Sequence, residues 1–188
     1  MKRNNNYYLD IETTGLDPKK DKIITIQYQQ LERNSARPLG PLKILKEWEG
    51  SEKEILQQFT NDTNVLDEYE FSFIPVGYCL NFEHNFLKER SVKHEIQEID
   101  ILSKAFIDLK AFGVIMNRGE FKNSGLNKIT NKPQSGKWIP KWYANKEYDR
   151  IIDYITVEAR EFVKLCVWLY REMPYSLFRF KKENKIEK

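Results

Sequence analysis

Cysteine is scarce in this chain: Cys79 and Cys166 are the only two among 188 residues, and each lies within an apolar stretch. Two buried thiols in a reducing compartment are expected, rather than a disulfide framework or a zinc site. Long apolar runs are missing as well. Nowhere does one approach the roughly twenty residues of a membrane span. The start, Met1-Lys2-Arg3-Asn4-Asn5-Asn6, is charged with no apolar stretch behind it for a signal peptide. A cytoplasmic address without membrane contact follows as the expectation. Charge of one sign is also lacking. A net charge of +3 is too small to establish a nucleic-acid partner, because an even mixture of Lys and Glu would give the same sum.

What the chain does have is enough apolar and aromatic side chains, 40% and 13%, to bury one core without staples. A single domain over 1–180 is expected, followed by a mobile charged tail, 181–188. Residues 7–12 alternate on a two-residue period and stop at Thr13-Thr14-Gly15, as a strand entering a turn does. Further strands are expected at 22–31 and 42–48, joined by short turn-rich connections that favour an antiparallel meander. Ser51 followed by Glu54 reads as a capping box opening a helix. The segment 71–80 becomes a strand in its later part, and a helix follows from Phe82 to Arg90. Residues 117–147 read as a long, locally basic loop region with limited helix. From Tyr148 to Met173 the apolar positions Ile151, Ile155, Ala159, Phe162, Cys166 and Leu169 repeat with helical spacing until Pro174. This order of elements predicts an α/β protein with a mixed sheet of about five strands and helices packed on it.

Asp10 and Glu12 lie two apart on the first strand and so share a face. Paired carboxylates repel unless a cation sits between them, and a hard, oxygen-seeking Mg²⁺ or Mn²⁺ is the simplest one. A solvated acidic edge is the competing explanation, and Asp-x-Glu alone does not exclude it. The longer string Tyr8-Leu9-Asp10-Ile11-Glu12-Thr13-Thr14-Gly15-Leu16-Asp17-Pro18 resembles the first motif of the DEDD 3′–5′ exonucleases of the RNase H-like superfamily. The likeness is to the proofreading domain of family B DNA polymerases and its stand-alone archaeal relatives.

Val76-Gly77-Tyr78-Cys79-Leu80-Asn81-Phe82-Glu83-His84-Asn85-Phe86-Leu87 resembles that family's second motif, with Glu83 where Asp is usual. His84 reads as a surface histidine. Tyr154-Ile155-Thr156-Val157-Glu158 is similar to the third motif in its tyrosine form, again with Glu for Asp; neither His84 nor His94 is placed to supply the histidine form. Asp153 and Glu161 compete for the role on the same helix, but only Glu158 combines the tyrosine spacing with a place beside the apolar stripe. The resemblance spans nearly the whole chain.

It implies an RNase H-like fold and a 3′–5′ exonuclease using two Mg²⁺ or Mn²⁺ ions. Asp10, Glu12, Glu83 and Glu158 would be the metal ligands, and Tyr154 would orient the attacking water. Thr13, Asn81 and Phe82 are expected beside the substrate. Lys137 and Lys141, interleaved with Trp138 and Trp142, suit phosphate contacts and base stacking along single-stranded DNA or RNA. The two glutamates keep two other readings open. One is a nucleic-acid-binding module on the same fold with weakened catalysis. The other is a subunit that joins a protein partner in replication or repair.

Overall fold

The computed structural model describes residues 5–132 and 136–186. Strand β1 (Asn6–Thr13) lies at the centre of a five-stranded sheet with β2 (Ile23–Leu31), β3 (Lys43–Lys46), β4 (Ile74–Gly77) and β5 (Ile107–Asp108), in the order β3-β2-β1-β4-β5. The first three strands form the expected antiparallel meander, while β4 and β5 run parallel to β1. The expected mixed sheet is therefore present. Its fifth strand is two residues long, too short to show a period in the sequence.

The alternation of β1 sorts the two layers of the molecule. Leu9 and Ile11 face helices α1 (Glu52–Asp62) and α2 (Asn81–Lys93), where they pack with Ile55, Leu56, Phe59, Phe86 and Leu87. Tyr8 faces the other way and meets Phe162 of the long last helix, ring centroids 4.9 Å apart. Asp10 and Glu12 share the side of Tyr8 by the same period. The β1–β2 register runs Glu12↔Thr25 and then Thr13↔Ile23, so Ile24 is bulged out of the ladder. Ile24 packs instead with Ile139, Ile151, Tyr154 and Ile155, closing the core beneath the carboxylates.

Helix α1 starts as the capping box predicts, with Ser51 Oγ accepting from the Glu54 amide at 3.2 Å. Helix α3 (Lys110–Met116) follows β5 and has no counterpart among the elements expected from sequence. The basic region beyond it carries two short helices, α4 (Leu126–Ile129) and α5 (Ile139–Ala144), the latter entered through a 3-10 turn at Gly136–Trp138.

Four expectations need correction. The last helix, α6, runs from Tyr148 to Glu183 and passes through Pro174 instead of ending there. Proline removes one amide donor and crowds the carbonyl four residues back, while every amide after it can still donate. The tail assigned to 181–188 is thus helical over 181–183; 187–188, like the first four residues, lies outside the described residues. Cys79 is exposed, whereas Cys166 is buried as expected. The apolar stretch around Cys79 breaks at that residue, whose φ of +75° turns the chain out of β4 and into α2. His84 is only 14% exposed, with Nδ1 3.4 Å from Asp100 Oδ1, so it is not a surface histidine. Among the described residues no helix is long and apolar enough to cross a membrane.

Candidate active site

The parallel strands β1 and β4 end on the same edge of the sheet, where the antiparallel and parallel halves meet. Open α/β sheets bind ligands at such a point. Here β1 presents Asp10 and Glu12, and the first turn of α2 presents Glu83. Three details of local sequence produce this. Gly77 lets the strand pass close to β1, since a Cβ there would stand 3.0 Å from the Leu9 carbonyl oxygen and 2.4 Å from Leu80 Cδ2. Asp108 then accepts hydrogen bonds from the amides of Cys79 (2.9 Å) and Leu80 (3.0 Å), fixing the entry to α2. Glu83 in the first turn also receives the favourable end of the helix dipole.

From the opposite side α6 brings Glu158 to the same place. Asp10, Glu12 and Glu158 each offer a carboxylate oxygen, and these atoms all lie within 4.8 Å of one another. Glu83 is 4% exposed, and its Oε2 is buried without a hydrogen-bond partner. Burial, followed by the Asp10 and Glu158 charges, holds the Glu12 carboxyl well above its usual range. Burial and the neighbouring Asp10 do the same to Glu83. Asp10 is raised by burial, against Lys132 and a 2.8 Å hydrogen bond from Gln27 Nε2 that favour its ionised form. Glu158 is pushed up to about 7 by burial and Asp10. Crowded carboxylates with an orphaned buried oxygen are the donor set of a hard divalent cation, which would offset the repulsion and take up the free oxygen.

Tyr154 stands beside Glu158 on α6, 8% exposed, and burial with the Glu158 charge raises its phenol far above the ordinary value. Its hydroxyl therefore stays protonated and serves as a donor. Gly136 lies against the site: a Cβ there would be 3.4 Å from the Tyr154 hydroxyl and 3.5 Å from Glu12 Oε2. Asp153 is exposed, and Glu161 pairs with Lys164 at 2.7 Å, so neither competitor on this helix joins the cluster.

The remaining sequence candidates divide. Thr13 is buried, its Oγ1 bonded to the Gly15 carbonyl at 2.5 Å. Asn81 is exposed at the start of α2, and Phe82 is half-buried against Phe86. Lys137 and Lys141 are exposed and lie over the Trp138 ring, at 5.3 and 5.7 Å from its centroid, with Trp138 itself 42% exposed. Trp142 instead turns inward and packs edge-on to Tyr154, centroids 6.2 Å apart. Tyr143 also turns inward, its hydroxyl donating to Glu47. A cavity of about 270 Å³ opens beside the cluster, lined among others by Asp10, Glu158, Lys132, Tyr8, Cys79 and Lys110.

Residues 7–170 match the sequence profile of the RNase_H superfamily, in its RNase_H_2 branch. The chain belongs to the RNase H superfamily. Curated proteins give no match to it. Among solved structures it is similar to E. coli exonuclease I in a metal-free complex with single-stranded DNA and in a complex with a dA16 oligonucleotide. Each has a TM-score of 0.48 and 10% identity over 61% of this chain. A third, exonuclease I with SSB and an inhibitor, has a TM-score of 0.47 and 9% identity. The chain spans about 30% of the length of these enzymes.

In this RNase H superfamily member, sequence reasoning missed three residues at the carboxylates. Gln27 sits opposite Asp10 in the β1–β2 register, a pairing the predicted meander could have suggested. Tyr8, whose hydroxyl lies 3.4 Å from Asp10 Oδ2, shares the Asp10 face by the two-residue period. Lys132 belongs by sequence to the basic loop, yet its ammonium bonds Glu158 directly. Nothing in the local sequence separates it from the other lysines there.

Proposed function

We propose that this protein is a metal-dependent 3′–5′ exonuclease acting on single-stranded nucleic acid, DNA in the first instance. The convergence of Asp10, Glu12 and Glu158 within 4.8 Å carries the reading. The unpartnered Glu83 Oε2 supports it. Asp10, Glu12, Glu158 and Glu83 would together hold two Mg²⁺ or Mn²⁺ ions. When bound, such a pair supplies Lewis-acid stabilisation to the attacking and leaving oxygens of an in-line displacement. Gln27 holds Asp10 in place through the 2.8 Å bond to its Oδ2. Tyr154, kept neutral, would orient the attacking water by its hydroxyl, because a phenol with a raised pKa is no base at neutral pH. Lys137, Lys141 and Trp138 form an exposed lip suited to phosphate contacts and stacking. Such contacts carry little base information, so degradation should be sequence-independent.

The test is digestion of 5′-labelled DNA and RNA oligonucleotides with Mg²⁺, Mn²⁺ or EDTA. A ladder shortened from the 3′ end with either metal, and absent with EDTA, is expected. Asp10→Ala and Glu158→Gln should each remove the activity while leaving the protein folded. Persistent activity in Asp10→Ala, free of contaminating nuclease, sinks the assignment. Oligonucleotide binding without any product would favour a binding module on the same fold.

A further inference from the structure

Among the described residues, Lys132 is the one cation bonded to the carboxylate cluster, through Nζ to Glu158 Oε1. The contact is a sheltered one. The Lys132 side chain is 10% exposed and that of Glu158 12%, and the ammonium stands 4.9 Å from the centre of the Tyr154 ring. Its backbone is held too: the Lys132 amide donates to Thr130 Oγ1 at 3.3 Å, and that hydroxyl donates to the Leu126 carbonyl at 2.7 Å. Lys132 also lies near enough to Asp10 and Glu12 to favour their ionised forms.

We propose that Lys132 is the resident counter-ion of this site, holding Glu158 while the divalent ions are absent and giving up that carboxylate when they enter. The inference rests on the two-ion reading above. Its physical basis is competition. An ammonium held against a carboxylate offsets part of the negative charge that would hold a divalent ion, and it repels the incoming cation. Four acids packed together without cations would also destabilise the metal-free fold, and one buried lysine offsets part of that repulsion. Lys132 therefore acts as a positioning residue that holds Glu158 against the cluster, at the expense of metal affinity.

The test is Mn²⁺ binding, measured by calorimetry or by the loss of the free-ion EPR signal, together with thermal melts in EDTA. Lys132→Met should bind Mn²⁺ about tenfold more tightly than wild type, which corresponds to releasing an ion pair worth about 1.4 kcal/mol. It should also melt lower than wild type in EDTA, and Mn²⁺ should narrow that gap. Lys132→Arg keeps the charge and should restore wild-type behaviour in both measurements. Lys132→Gln repeats the titration should the methionine variant not fold. Adding Glu158→Gln to Lys132→Met should recover part of the lost metal-free stability. A wild type that binds Mn²⁺ and a Lys132→Met variant that binds it equally or more weakly overturn the counter-ion role alone. A wild type that binds no Mn²⁺ overturns the two-ion reading itself.

Discussion

Glu158 faces two opposing demands. In the proposed two-ion site its carboxylate would have to be charged to hold a divalent ion, yet burial and Asp10 push it up to about 7 from an ordinary 4.5. A carboxyl raised in the folded state contributes stability that is fully present below its unfolded value and lost as the pH rises through the folded one. Metal-free protein should therefore lose stability between about pH 4.5 and about pH 7 on account of this group. A divalent ion bound there as proposed would reverse the effect by favouring the ionised form. Melting temperatures in EDTA and in Mn²⁺ should accordingly diverge as the pH rises across that window. A constant difference between the two curves would show that Glu158 does not face the metal. Glu52 works in the opposite sense: although its burial acts to raise it, hydrogen bonds from Arg90 and His94 leave it lowered, so its contribution is lost only as the pH falls below the ordinary carboxylate range.

That Glu52 links three elements. It stands in the first turn of α1, accepts from the Ile23 amide of β2 at 2.7 Å, and takes Arg90 Nε at 2.8 Å and Nη2 at 2.6 Å from α2. Both members of the ion pair are 5% exposed. Removing the arginine would leave a buried carboxylate with His94 as its remaining side-chain partner. Arg90→Met should therefore lower unfolding stability by about 3–5 kcal/mol, read from urea denaturation. Glu52→Gln in the same background should return part of the loss, and strict additivity of the two changes would argue against the pair. On the other face, α6 shows why an apolar stripe does not measure how much of a helix is buried. Ile155, Ala159, Phe162, Cys166 and Leu169 pack in the core, and the same spacing continues through Met173, Leu177 and Phe180, which are 37%, 54% and 55% exposed.

The whole molecule places its acids and its exposed bases differently. The carboxylates lie at the strand ends beneath α6, while Lys137 and Lys141 stand out on the turn and helix that precede α6. In the proposed function that lip would contact the phosphates of a single strand. Replacing Lys137 and Lys141 together with alanine should weaken single-strand binding and reduce the slope of log affinity against log salt by about 1.4, roughly 0.7 for each phosphate no longer neutralised. Fluorescence anisotropy with a labelled oligonucleotide over a range of salt checks this. An unchanged slope would remove both lysines from the binding face.

Local pattern was sufficient for features that depend on neighbours in the chain. The alternation of 7–12, the Ser51–Glu54 capping box and the helical spacing after Tyr148 are short-range consequences of strand and helix geometry, and each element forms where its pattern lies. The same periodicity set Asp10 and Glu12 on one face and kept Tyr154 one turn from Glu158. Folding decided what depends on the meeting of distant segments. It set the crossover that lays β4 parallel to β1, the two-residue β5, the inward turn of Trp142 and the exposure of Cys79. It also selected Lys132, of all the lysines in the basic region, to reach Glu158 across 26 residues of chain. A lysine's sequence neighbours say little about where its long, flexible side chain will find a buried charge, because that partner exists only once the sheet and α6 have packed together.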